Sequence, residues 1–128
     1  YATNMAAIRE AHRRDADDAV FVTSDGVLLE GPTSSLVLRQ GDRFVTPAPG
    51  AGILHGTTQL SLFAHLAERG FEVDYATLGV DALREADAAW LVSSVRLAAG
   101  ITAVDGARLP YDAAFTAELN DYLLSPRD

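Results

Sequence analysis

Three short stretches of the chain hold residue types that could do chemistry. The first is Glu30-Gly31-Pro32-Thr33-Ser34-Ser35, a carboxylate followed by a turn and small hydroxyl residues. Glu30 stands at the end of an expected strand. It is either a solvated surface charge or, turned inward, the partner of a protonated ring nitrogen, since a buried carboxylate needs a cationic partner. The second is Gly56-Thr57-Thr58, which opens an expected helix directly after a Gly-rich loop. A helix N-terminus presents unpaired N–H groups and the positive end of the helix dipole. Thr57 and Thr58 therefore either cap the helix or add hydroxyl donors to a bound phosphate. The third is Ser93-Ser94, with Arg96 two residues on. Small hydroxyl residues at a strand end suit an oxyanion site and are also ordinary loop residues. Arg96 could hold a substrate carboxylate in its forked guanidinium or make a surface ion pair.

What is missing narrows the chemistry. All ten basic residues are arginines. A reaction that needs a lysine amine must draw it from outside these 128 residues. There is no cysteine, so neither a disulfide framework nor a thiolate metal site is available. His12, His55 and His65 show no metal-ligand spacing, and no metal site is expected. Gly50-Ala51-Gly52 lacks the lysine that follows in a P-loop, and no glycine-rich nucleotide fingerprint occurs. The net charge of −8 argues against a nucleic-acid surface and against anionic membranes. No apolar run approaches the roughly 18 residues of a membrane span, and a cytoplasmic setting is expected.

These stretches must be positioned by a mixed set of elements. Residues 2–14 read as a helix with Met5, Ile8 and His12 on one face. Residues 19–23 and 27–30 flank Asp25-Gly26 as an expected hairpin, and 36–38 and 43–46 flank Gly41-Asp42 as a second. Residues 47–52 are a Pro- and Gly-rich loop. A helix begins near Gly56, carries Leu60, Phe63, Leu66 and Ala67 as its stripe, and ends at Gly70. Residues 71–75 look like a strand, 80–86 a short helix, 89–92 a buried strand and 97–104 another. Phe115, Leu119, Tyr122 and Leu123 make the stripe of a last helix. Interleaved strands and helices with two tight hairpins near the front predict one mixed α/β (α+β) domain with antiparallel pairs.

The ordered set of motifs resembles the fold-type IV pyridoxal phosphate enzymes. That family comprises branched-chain aminotransferases, D-amino acid aminotransferases and 4-amino-4-deoxychorismate lyases. The matching runs are Ser24 through Ser35, Val45-Thr46-Pro47, Gly52 through Thr58, Ala86-Asp87, Val92-Ser93-Ser94-Val95-Arg96 and Val104-Asp105-Gly106. The resemblance implies the large C-terminal domain of the D-amino acid aminotransferase-like fold, a mixed sheet or pseudo-barrel with antiparallel hairpins and flanking helices. It implies that Glu30 pairs with the pyridine nitrogen of pyridoxal 5'-phosphate, that Leu54 packs on the cofactor ring, and that Thr57, Thr58 and Ser94 hold the phosphate. Tyr1 falls where the family often has a tyrosine near the cofactor's phenolic oxygen. Ser93 and Arg96 are the implied substrate contacts. The lysine that attaches the cofactor would fall a few residues before Tyr1, with the small N-terminal domain also upstream, so no catalytic residue is expected in this chain.

Two positions depart from the family pattern: Ser35 stands where asparagine is usual, and His55 where proline often stands. The run at Glu30 together with Ser93-Ser94-Val95-Arg96 looks most similar to the aminodeoxychorismate lyases. The implied reaction converts 4-amino-4-deoxychorismate to 4-aminobenzoate and pyruvate. The alternatives are an aminotransferase acting on branched-chain or D-amino acids, and a non-catalytic domain that binds no cofactor. A small-molecule amino substrate and a homodimer are the implied partners.

Overall fold

The computed structural model describes residues 2–31, 34–48 and 57–125. At its centre is a five-stranded sheet in the order β3-β2-β1-β4-β5. Its strands are β1 (Ser35–Gln40), β2 (Arg43–Pro47), β3 (Glu72–Ala76), β4 (Ala88–Ser93) and β5 (Leu97–Gly100). All neighbours pair antiparallel except β2 and β3, which are parallel. A parallel pair cannot be joined by a tight turn. The connection is made by helix α2 (Thr57–Glu68).

The sheet is mixed and flanked by helices, as expected, and β1 and β4 show why it is buried on both faces. Period-2 alternation sends Leu36, Leu38, Val45, Ala89 and Leu91 to one face and Val37, Phe44, Trp90 and Val92 to the other. The first face packs against Leu28, Leu78, Leu83 of helix α3 (Val80–Arg84) and Leu109. The second packs against Leu62, Phe63 and Leu66 of α2 and Leu119 of helix α4 (Ala113–Leu124). Helix α4 is tied to the sheet at two points. Trp90 Nε1 donates to Thr116 Oγ1 at 2.9 Å. Asn120 accepts from the backbone N–H of Ala98 at 2.8 Å and donates to its carbonyl at 3.2 Å.

Several element expectations need adjustment. The first hairpin forms only as isolated bridges, Val22 with Leu28 and Val27 with Gly79, because Val27 turns to meet the segment before α3 instead of extending a ladder. Leu29 N–H still donates to Phe21 O, and Phe21 N–H to Glu30 O. The strand expected over 97–104 breaks in two, β5 and then β6 (Ala103–Val104), which pairs with β7 (Ala107–Arg108). The loop between them is Asp105-Gly106 with φ of 49° and 85°, the two left-handed residues of a tight hairpin. Helix α1 (Ala2–Arg13) buries Ala11 and leaves His12 exposed. On α2 the buried positions are Gln59, Leu62, Phe63 and Leu66, while Leu60 and Ala67 face outward. Two apolar phases were possible there, and the one facing both the sheet and α4 is realised.

The seam between α2 and α4 is polar at one point. His65 stacks on Tyr122, ring centroids 4.1 Å apart, and its Nε2 lies 3.5 Å from Glu118 Oε2. Arg69 also pairs with Glu118. Burial, and then the Arg69 charge, hold the His65 imidazole below the ordinary histidine pKa. Among the described residues no helix is long and apolar enough to cross a membrane.

Candidate functional site

Strand direction decides where the three chemically promising stretches go. Both β2 and β4 run antiparallel to β1, which lies between them. The chain therefore leaves β2, leaves β4 and enters β1 at the same end of the sheet. Leaving β2 leads to α2 and so to Thr57 and Thr58. Leaving β4 leads to the turn at Ser94, and entering β1 comes from Glu30 and Gly31. Ser35 pairs with Val92 at this end, and Thr46 Oγ1 donates to the Leu36 carbonyl at 2.5 Å. Stretches far apart in sequence are thus delivered to one place by the pairing pattern alone.

A cavity of about 200 Å³ opens there. Its described lining is Thr57, Thr58 and Ser61 from the first turns of α2, Ser94 from the turn after β4, and Leu97 and Leu123. Four hydroxyl side chains and the start of a twelve-residue helix face it, and among the described residues no carboxylate lines it. That donor set suits an anion, since the first N–H groups of a helix have no intrahelical acceptor and carry the positive end of the dipole. Ser61, Leu97 and Leu123 are not among the site candidates expected from the sequence. Ser61 carried a signal, because it follows Thr57 and Thr58 at helical spacings of four and three and so shares their face.

The turn carrying Ser94 is tightly built. Ser93 Oγ accepts the backbone N–H of Arg96 at 3.0 Å. Leu97 closes the turn with φ of 61°, a left-handed conformation unusual outside glycine and asparagine. Val95 at the tip is 90% exposed. The Arg96 guanidinium reaches Asp18, with Nη1 2.8 Å from Oδ2. Ser93 and Arg96 are therefore engaged within the chain and do not belong to the described cavity lining. Among the described residues no cluster of His, Asp or Glu is arranged to hold a metal ion.

Glu30 is half-buried and its carbonyl accepts from Phe21 N–H at 3.0 Å. Gly31 follows in a crowded position: a Cβ there would lie 2.7 Å from Ser34 Oγ, 3.1 Å from the Ala19 carbonyl oxygen and 3.4 Å from Leu91 Cδ2. A larger residue there would force the Ser34 hydroxyl to shift and the Ala19 carbonyl to give by a few tenths of an ångström. Leu54 and Tyr1 lie outside the described residues.

A mixed, helix-flanked sheet with an anion-suited cavity at one end defines a class of α+β domain. Within that class, the chain belongs to the amino-transferase class IV family, whose profile matches residues 1–104. It is 44% identical over 117 residues to a bifunctional aminodeoxychorismate lyase / D-amino acid transaminase of Mycobacterium tuberculosis, covering 86% of this chain and 40% of that protein. It is 34% identical over 95 residues to the aminodeoxychorismate lyase of Bacillus subtilis, covering 74% of this chain and 32% of that protein. Among solved structures it superposes on a fold IV-transaminase from Curtobacterium pusillum with a TM-score of 0.94 and 55% identity, covering 97% of this chain and 42% of that one. A structure described as a hypothetical aminotransferase from Mycobacterium tuberculosis, in a form bound to alpha-ketoglutarate and PMP, gives a TM-score of 0.92 at 44% identity, covering 97% of this chain and 44% of that one. The chain thus spans less than half the length of these relatives.

Proposed function

We propose that the full-length protein carrying this chain is a pyridoxal phosphate-dependent enzyme, and that this domain holds the cofactor. The observation that carries the reading is the meeting of Thr57, Thr58 and Ser94 around one cavity at a helix N-terminus, with no carboxylate among its described lining. The site fits the cofactor's phosphate: hydroxyl and N–H donors face it, and Leu97 and Leu123 give it an apolar wall. Thr57, Thr58 and Ser94 bind and orient the phosphate. Glu30 keeps a proton on the ring nitrogen, with Leu54 against the ring and Tyr1 toward the phenolic oxygen. When bound, pyridoxal phosphate supplies an electron sink for the carbanionic character that develops at the substrate carbon. The lysine and the small N-terminal domain belong to the part of the protein upstream of Tyr1, and the active form is a homodimer.

The reaction we favour is conversion of 4-amino-4-deoxychorismate to 4-aminobenzoate and pyruvate. Support comes from the lyase activity in the names of both curated relatives above. Transamination of D- or branched-chain amino acids is the second reading, favoured by the 55% identity to a transaminase. The full-length protein separates them. Pyruvate and 4-aminobenzoate formed without any amino acceptor mark the lyase, and turnover only with an α-keto acid marks the transaminase. Glu30→Gln should cut either turnover at least tenfold with an unchanged circular dichroism spectrum. Unaltered turnover in that variant would return Glu30 to a surface charge.

A further inference from the structure

We propose that Asp18 and Arg96 form a brace that fixes the Ser94 turn at the phosphate cavity, and that the Asp18-Ala19 junction ties this turn to the Glu30-Gly31 entry. Both residues are positioning residues, and the inference rests on the reading of the cavity as the cofactor's phosphate site.

The Ser94 turn projects beyond the sheet. Val95 at its tip is exposed and Leu97 holds an unfavourable backbone conformation. A left-handed backbone is unfavourable for leucine, so the turn needs restraint from outside. Within the turn the restraint is Ser93 Oγ on the Arg96 N–H. Across the chain it is the Arg96 guanidinium on Asp18.

Asp18 is unlike the acids beside it. Its side chain is 8% exposed, whereas Arg96 is 43% exposed. Its second oxygen, Oδ1, accepts the backbone N–H of Ala19 at 2.8 Å. A carboxylate buried this deeply needs a cationic partner, and Arg96 supplies it. The next residue, Ala19, places its carbonyl close against Gly31, 3.1 Å from where a Cβ would stand. One two-residue junction therefore touches both the strand entry that carries Glu30 and the turn that carries Ser94. In the proposed function those are the ring-nitrogen end and the phosphate end of the cofactor. The brace fixes their separation.

The direct test compares pyridoxal phosphate with pyridoxal, which lacks the phosphate, as ligands of the full-length apoprotein. Asp18→Asn keeps the acceptor for Ala19 N–H and removes the charge, and Arg96→Gln removes the guanidinium from a half-exposed position. Each should weaken pyridoxal phosphate about tenfold, the effect of losing one charge-assisted contact, and leave pyridoxal within about twofold. The phosphorus NMR resonance of the bound cofactor should broaden or shift. The exchanged pair, Asp18→Arg with Arg96→Asp, should recover part of the affinity. Equal weakening of both ligands would mean general loosening of the fold and overturn the brace, as would unchanged affinity for pyridoxal phosphate in variants that melt normally. A raised KM for the amino substrate with cofactor affinity intact would overturn it too, placing Arg96 on the substrate carboxylate. Failure of the wild-type full-length protein to take up pyridoxal phosphate would instead defeat the functional reading and the brace's purpose with it.

Discussion

Gly31 and His65 show how single side chains decide this fold. A methyl group at Gly31 would stand 2.7 Å from Ser34 Oγ and 3.1 Å from the Ala19 carbonyl, so the hydroxyl must shift and the backbone must give. Gly31→Ala should lower the stability of the chain by about 1–3 kcal/mol, the cost of overpacking, measurable by urea denaturation. His65 makes the chain sensitive to acid. Burial and Arg69 lower its folded pKa, so the unfolded chain binds the proton more readily. The stability it contributes is full above the unfolded value of about 6.5 and declines as pH falls below it. The groups around it, Glu118, Glu68, Arg69 and Tyr122, stay as they are in His65→Phe, which keeps the stack on Tyr122. That variant should lose less stability than the wild type between pH 7.5 and 5.5, and equal losses would clear the histidine. Glu30 and the two threonines were legible as candidates because their types and spacing are unusual together. Asp18 was not, because it stands in an acidic run with Asp15 and Asp17 whose default is solvation, and only a contact with distant Arg96 distinguishes it.

Helix α4 depends on its seat against β5. Asn120 satisfies both backbone groups of Ala98 on the outer strand. Asn120→Ala leaves that N–H and that carbonyl without their partner and should cost about 1–3 kcal/mol. Hydrogen exchange at the Ala98 amide should accelerate with it, and unchanged protection would show that α4 is held by its apolar stripe alone. The elements themselves were largely visible in the sequence, since β2, β3, β4 and α4 follow apolar runs or helical periodicity with turn residues between. Two failures have different physical sources. The first hairpin is interrupted by a contact that no local pattern records, Val27 with Gly79, whereas the strand after Leu97 ends where residues 102–109 fold back on themselves around Asp105-Gly106.

Across the whole molecule, the site is a consequence of pairing β4 with β1. The hairpin of β1 and β2 was readable from Gly41-Asp42, but the partner of β4 was not, and that partner sets which end of the sheet receives Ser94. The chain also marks a limit on its own chemistry. With no lysine, none of its side chains should form an aldimine with pyridoxal phosphate. Borohydride reduction in the presence of the cofactor, followed by peptide mass mapping, should show no modified side chain (the α-amino group aside), and a reduced adduct on any side chain would refute the expectation.

The same pairing governs time as well as place. Residues 35–40 wait for residues 88–93 before the middle of the sheet can close, with β2, α2, β3 and α3 lying in the interval. Hairpins close in microseconds, whereas distant strands pair only after loop entropy has been lost. The β1–β2 and β4–β5 hairpins can therefore exist early as separate pieces, each with a bare apolar strand awaiting the other. Until they dock, β1 and β4 are open to pairing with another copy of the chain. Nascent protein is most vulnerable to aggregation in that window, and a chaperone that covers either strand would protect it.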